Sequence, residues 1–169
     1  MCALAQVQVC IAAVSNRTID DVNGDSITGL LPAYDSNCRN PWHTDGNCSA
    51  CFMKPDPSQV FDRTWHDTRQ KNERESPACH HTAYGYVRTA INFFYIVPNT
   101  VPHSFTAVSL TFTIDSTSHG SYGHVPDASS DTLYVVLVLA AEGVTNEPHT
   151  LVARTVQPSL FIFDYAMYT

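Results

Sequence analysis

The sequence predicts an antiparallel β-sandwich, and three observations carry that prediction. "VSLTFTID" alternates cleanly, with Val108, Leu110, Phe112 and Ile114 facing one way and Ser109, Thr111, Thr113 and Asp115 the other. Segments rich in β-branched and aromatic residues recur along the chain, separated by Pro, Gly, Asn and Ser. No window of about 11 residues holds a 3.6-residue apolar period, so no long helix is expected.

The strands follow in order. "YVRTAINFFYIV" (86–97) is long and aromatic and stops at the turn signal Pro98-Asn99. "LYVVLVLA" (133–140) is apolar on both faces, which places it centrally in a sheet. "HTLVARTV" (149–156) and "SLFIFDYAMYT" (159–169) are two more strands, divided by Gln157-Pro158. "PDPSQVF" (55–61) has room for one short helical turn. The connections are 32–48, 98–104, 115–131 and 142–148, and they punctuate strands without separating domains. One β-sandwich domain over 16–169 is expected.

At 169 residues the chain is long enough for one full core. Its net charge of −7 argues against phosphate backbones and anionic membranes, so no nucleic-acid partner is expected. No stretch reaches the roughly 18 to 20 uncharged apolar residues of a membrane span. Residues 1–15 read either as a degenerate signal segment or as a buried first strand. Ala13-Val14-Ser15 is an acceptable small-x-small cleavage site, but Gln6 and Gln8 interrupt the apolar run and no basic residue precedes it. Removing residues 1–15 takes away Cys2 and Cys10 and leaves an even set, Cys38, Cys48, Cys51 and Cys79, as a disulfide framework would want. Two glycosylation sequons begin at Asn16 and Asn47. Together these features lead to an expectation of a secreted protein.

The octapeptide "FDRTWHDT" (61–68) holds the densest chemistry. Read as a strand, it puts Phe61, Arg63, Trp65 and Asp67 on one face and Asp62, Thr64, His66 and Thr68 on the other. His66 and Asp67 then diverge and cannot act as an acid–base pair. Trp65 reads as core.

Several motifs taken in order, "NRTIDDVNGDSITG", "CSACFMKPDPSQVFDRTWHDT", "YVRTAINFFYIVPNTVP", "LTFTIDS" and "HTLV…SLFIFDYAMYT", resemble a family of basidiomycete secreted or single-span membrane proteins. Their extracellular part is a galactose-binding-like jelly roll. The resemblance covers 16–169 and implies that fold and a secretory route, but no activity. It supports Cys48 and Cys51 as a local disulfide more than it supports Cys38 and Cys79. The chain has Arg63 and Arg88 where such sequences carry Gly, and an Arg replacing a positive-φ Gly would be strained.

The other constellations are thinner. Cys48-Ser-Ala-Cys51 lacks the βαβ context of a redox motif, and zinc held by Cys38, Cys48, Cys51 and Cys79 or His80 lacks a second paired motif. Asp21, Asn23 and Asp25 alternate like the front of a calcium loop. Pro32 stands where an EF-hand needs a bidentate Glu, so an Asx-rich turn leading into a strand Ile27 to Leu31 is the preferred reading, with a structural calcium as the alternative.

The function expected from this reading is a non-catalytic extracellular module that binds carbohydrate or a cell-wall or cell-surface component, with no catalytic residue assigned. Its ligand residues would be Trp42, His43 and Asp45 in one loop and Tyr122, His124 and Asp127 in another. Trp42 is either a sugar-stacking platform or a loop anchor. The alternatives are a self-associating interaction ectodomain and a secreted hydrolase using His66 or His81 with a nearby acid.

Overall fold

A computed structural model describes residues 15–36, 42–44, 53–69, 81–87, 89–156 and 159–169, and for 69, 81–84 and 86 the backbone alone. The fold is an antiparallel β-sandwich. Its strands are β1 (Arg17–Asp20), β2 (Gly24–Asp25), β3 (Ala33–Ser36), β4 (His43–Thr44), β5 (His66–Arg69) and β6 (His81–Val87). They continue with β7 (Ile91–Pro98), β8 (Val108–Ile114), β9 (Thr117–His124), β10 (Thr132–Ala141), β11 (His149–Thr155) and β12 (Leu160–Tyr168). One sheet runs β10-β7-β12-β1-β2, with β5 also paired to β12 and β4 to β5. The other runs β3-β6-β11-β8-β9.

The core lies between the sheets because the alternating strands turn their apolar residues to the same interior. Leu110 and Phe112 of β8, Leu151 and Ala153 of β11, and Phe93, Tyr95, Phe161 and Phe163 of the facing sheet are all buried. Phe93 stacks on Phe163 at 4.5 Å and tilts onto Phe112 at 5.7 Å, joining the layers. The buried Tyr95 hydroxyl donates to the Leu160 carbonyl at 2.8 Å, so its polar end is satisfied.

Several elements depart from the sequence expectation. The run 133–140 forms an edge strand, β10, and Leu133, Val135 and Leu137 are 44–49% exposed. An apolar row on both faces therefore does not make it central: one face of its first half simply stays uncovered. Residues 27–31 are a turn and loop, and the strand begins at Ala33. The connection 115–131 contains β9, whose Gly- and Ser-rich sequence has little strand propensity. Pairing to β8 through a tight Asp115-Ser116 turn decides its conformation. Finally, only the second half of the octapeptide is a strand. Phe61–Arg63 is a 3-10 turn, following another at Pro57–Gln59. The Cys residues and Arg88 lie outside the described residues.

Candidate functional site

β12 changes partner halfway along. Its first half pairs with β5, with Phe163 opposite His66, and its second half with β1, with Tyr165 opposite Asp20. Asp164 is the residue at the changeover, and the register with β7 slips there too, between Phe163 and Tyr165. The end of β1 and the start of β5 are thereby brought together over Asp164. Sequence reasoning has no access to this meeting, because its members are more than 40 residues apart in each step.

At the junction, His66 Nδ1 lies 2.8 Å from Asp21 Oδ2. Thr64 Oγ1 lies 2.7 Å from Asp21 Oδ1 and 3.1 Å from Asp20 Oδ2. A hydroxyl has one proton to give, so both contacts are satisfied together only when one carboxyl group itself carries a proton. Burial pushes Asp21 up to about 6, against the pull of the His66 and Thr64 hydrogen bonds, while Asp20 beside it adds to the rise. Asp164 is fully buried, accepts from the Phe61 N–H at 3.0 Å through Oδ1, and has no partner for Oδ2 among the described residues. Burial raises it to about 7, the Phe61 N–H works against the rise, and Asp21 and Asp20 reinforce it. Two carboxyl groups thus hold their protons far above the ordinary carboxylate range at one spot.

An aromatic wall covers one side. Tyr34 stacks on the His66 ring at 3.9 Å, with planes 8° apart, and its hydroxyl donates to the Asp21 carbonyl at 2.8 Å. Burial and the neighbouring Asp21 and Asp20 push the Tyr34 phenol well up, so it remains a donor. Trp42 closes the wall, 4.9 Å from Tyr34 and 5.0 Å from Phe161, and its indole N–H donates to the Asp35 carbonyl at 3.0 Å. On the other side the turn carrying Asp62 and Arg63 has φ of 49° and 66°, and Asn23 Nδ2 donates to Asp62 Oδ2 at 3.4 Å. Arg63 therefore occupies a left-handed position, which costs a side-chain-bearing residue more than glycine.

The structure scatters the residues expected to bind ligand. Trp42 is half-buried and anchors on Tyr34 and Phe161; His43 pairs with Asp67 in the short β4–β5 ladder; Asp45 lies outside the described residues. Tyr122 and His124 sit on β9 rather than in a loop. Tyr122 packs partly into the core, while His124 and Asp127 meet through Asn99 Oδ1, at 2.9 Å from the His124 ring and 3.2 Å from the Asp127 N–H. The three residues of the calcium reading also part company. Asp21 turns to His66 and Asn23 to Asp62, whereas Asp25 accepts from Ile27 N–H at 2.8 Å, Thr28 N–H at 2.7 Å and the Tyr168 hydroxyl. Against burial, those hydrogen bonds hold Asp25 below the usual carboxylate range, the Tyr168 bond foremost. Among the described residues no group of three or more His, Cys, Asp or Glu is placed to hold a metal ion. Asn16 is exposed ahead of β1, whereas Asn47 and all four cysteines of the expected framework lie outside the described residues, and of His81 only the backbone is described. Within the octapeptide, His66 and Asp67 do not pair, as alternation demanded, and Trp65 is buried. What alternation missed is that His66 takes its carboxylate from a turn 45 residues away. The one visible signal was the Asp20-Asp21 doublet at a strand end.

No family model matches the chain, and no curated protein matches it. Among solved structures, its fold is similar to the Agl-KA catalytic domain, at TM-score 0.50 and 9% identity, over 93% of this chain and 28% of that one. Two further similar structures are α-1,3-glucanases of family GH87. One is the catalytic unit from Streptomyces thermodiastaticus strain HF3-3, at TM-score 0.39 and 10% identity, over 81% of this chain and 25% of that one. The other is a catalytic domain in complex with nigerose, at TM-score 0.40 and 9% identity, over 93% and 28%. This chain spans 28% of the length of the Agl-KA catalytic domain, and at such identity the likeness is one of fold. It corrects the expectation of a non-catalytic module all the same: the Agl-KA structure of similar fold is a catalytic domain.

Proposed function

We propose that the chain is a glycan-directed hydrolase in which His66 and Asp21 carry the acid–base chemistry. The observation that carries the reading is the His66–Asp21 contact of 2.8 Å, built over two carboxyl groups that titrate near neutrality. Hydrolysing a glycosidic bond moves one proton from water to the leaving oxygen, and one imidazole can carry it, taking it from the attacking water and giving it to the leaving oxygen. Of the paired residues, His66 keeps 12% of its side chain exposed and Asp21 none, so exchange with substrate runs through the imidazole. Asp21, with Tyr34 stacked on the ring, fixes the ring's orientation and tautomer and leaves Nε2 as the nitrogen that gives or takes the proton. Asp21 is thus a positioning residue and proton store, linked by Thr64 to Asp20.

The fold shared with the Agl-KA catalytic domain supports catalysis, and a polysaccharide is the substrate class this proposal assigns. The exposed Asn16 sequon, the four cysteines and the resemblance to a basidiomycete secreted family support an extracellular, glycosylated, disulfide-bonded setting.

The test is reducing-end release from a panel of soluble and insoluble α- and β-glucans. Turnover by the folded wild type, reduced about 10²- to 10⁴-fold in His66→Ala and less in Asp21→Asn, is the expected result. A folded wild type that releases nothing from any glucan would overturn the proposal, and so would a His66→Ala variant as active as the wild type.

A further inference from the structure

The outer face of the second sheet carries a groove far from the β12 junction in register. Thr111 and Thr113 of β8, Ser116 of the β8–β9 turn, and Val152 and Arg154 of β11 line about 390 Å³ of space. That volume falls in the range of small-molecule sites, roughly 300–1,000 Å³. The register explains the lining. Arg154 lies opposite Thr111 and Val152 opposite Thr113, so four outward positions of two neighbouring strands form one patch.

The chemistry of the patch is specific. The Thr113 and Ser116 hydroxyls each offer a donor and an acceptor, Thr111 an acceptor while it donates to the Arg154 carbonyl at 3.5 Å, Val152 an apolar spot, and Arg154 a planar fork of donors that matches a carboxylate in two parallel hydrogen bonds. Arg154 is exposed, and among the described residues no ion pair engages it. In a chain of net charge −7, a cation surrounded by hydroxyl groups is a local reversal of sign.

The end of the groove is also held in a costly shape. Asp115 and Ser116 have φ of 47° and 69°, a conformation that side-chain-bearing residues seldom adopt. The turn keeps it because the Asp115 carboxylate accepts from the His149 ring and, at 2.8 Å, from the Thr150 N–H. The other side of the His149 ring is tied to the Thr145 carbonyl at 3.0 Å. Positive φ at both residues is what a two-residue hairpin loop between β8 and β9 requires, and it fixes where Ser116 stands at the end of the groove.

We infer that this groove is a subsite for an acidic sugar, with Arg154 binding the carboxylate of a uronic acid and Thr111, Thr113 and Ser116 binding its ring hydroxyls. The inference rests on the glycan-directed reading and narrows it, since it names the sugar class held away from the reacting bond.

Calorimetric titration with galacturonate oligomers and with neutral glucose oligomers of equal length tests it on the whole chain. Binding of the uronate series, at least ten-fold stronger than the neutral series and weakened at least ten-fold in Arg154→Gln, is expected. His66→Ala should bind uronate like the wild type. Equal affinity for both series, unchanged binding in Arg154→Gln, or no binding at all would overturn the subsite. The two readings fail separately: turnover without uronate binding removes the subsite alone, and uronate binding without turnover removes the hydrolase and leaves the subsite standing. Thr113→Val, which keeps side-chain shape and strand propensity, should weaken uronate binding without lowering Tm; a loss of Tm with unchanged binding would count against the groove.

Discussion

Asp164 sits fully buried, with one carboxyl oxygen unpartnered among the described residues and with Asp20 and Asp21 close enough to raise its pKa. Its pKa of about 7 in the fold lies above the ordinary value of 3.8, so the folded state binds this proton more tightly than the unfolded chain does. The resulting stabilisation is complete below the unfolded value and is lost as pH rises through about 7; Asp21 adds the same trend through about 6. Thermal stability is therefore expected to fall between about pH 4 and about pH 7 and to level off above that. Asp164→Asn is neutral at every pH and can still accept from the Phe61 N–H. It should flatten that fall by on the order of 1–3 kcal/mol, since one pKa unit is worth about 1.4 kcal/mol. A melting profile against pH that stays parallel to the wild type's would refute this. Trp42 belongs to the same scale: its contacts with Tyr34 and Phe161 make Trp42→Ala destabilising by about 1–3 kcal/mol, read as a lower Tm.

Single elements show why some of the fold was legible and some was not. β8 follows from its alternation because one face is buried and the other wet, the one arrangement that period-2 patterning reports. β9 was missed because Gly and Ser carry no pattern and only its partner strand specifies it. β10 was read as a strand but placed wrongly, since apolar residues on both faces do not say whether a second neighbour exists. Leu137 is 47% exposed there while Leu110 is 1% exposed. Leu137→Lys should accordingly change stability by no more than about 0.5 kcal/mol, whereas Leu110→Ala should cost about 2–5 kcal/mol; chemical denaturation of both variants checks the contrast. The 3-10 turn before β5 is a third case. Arg63 at φ 66° pays a conformational cost that Gly avoids, so Arg63→Gly should stabilise the protein by about 1 kcal/mol. No gain in the denaturation midpoint would mean that Arg63 makes offsetting contacts. For the site, spacing along the chain singled out only the octapeptide and, in a calcium-like turn, Asp21. Their meeting depends on where β12 changes partners, a long-range pairing that local sequence does not encode.

The whole molecule is a two-sheet body whose chemistry gathers where one central strand passes from one neighbour to another. Its likeness to a catalytic domain extends over 93% of this chain, yet over 28% of that protein. The fold therefore supplies the frame, and the buried carboxyls with His66 supply the argument for chemistry. The measurement that bears on this most directly is kcat/KM against pH on the best glucan substrate, for wild type and His66→Ala side by side, with Tm recorded for both. The account predicts that the wild-type profile breaks near pH 6, where Asp21 titrates, and that the variant loses both rate and break at an assay temperature well below its own, lower Tm. Superimposable profiles for the two proteins would contradict it.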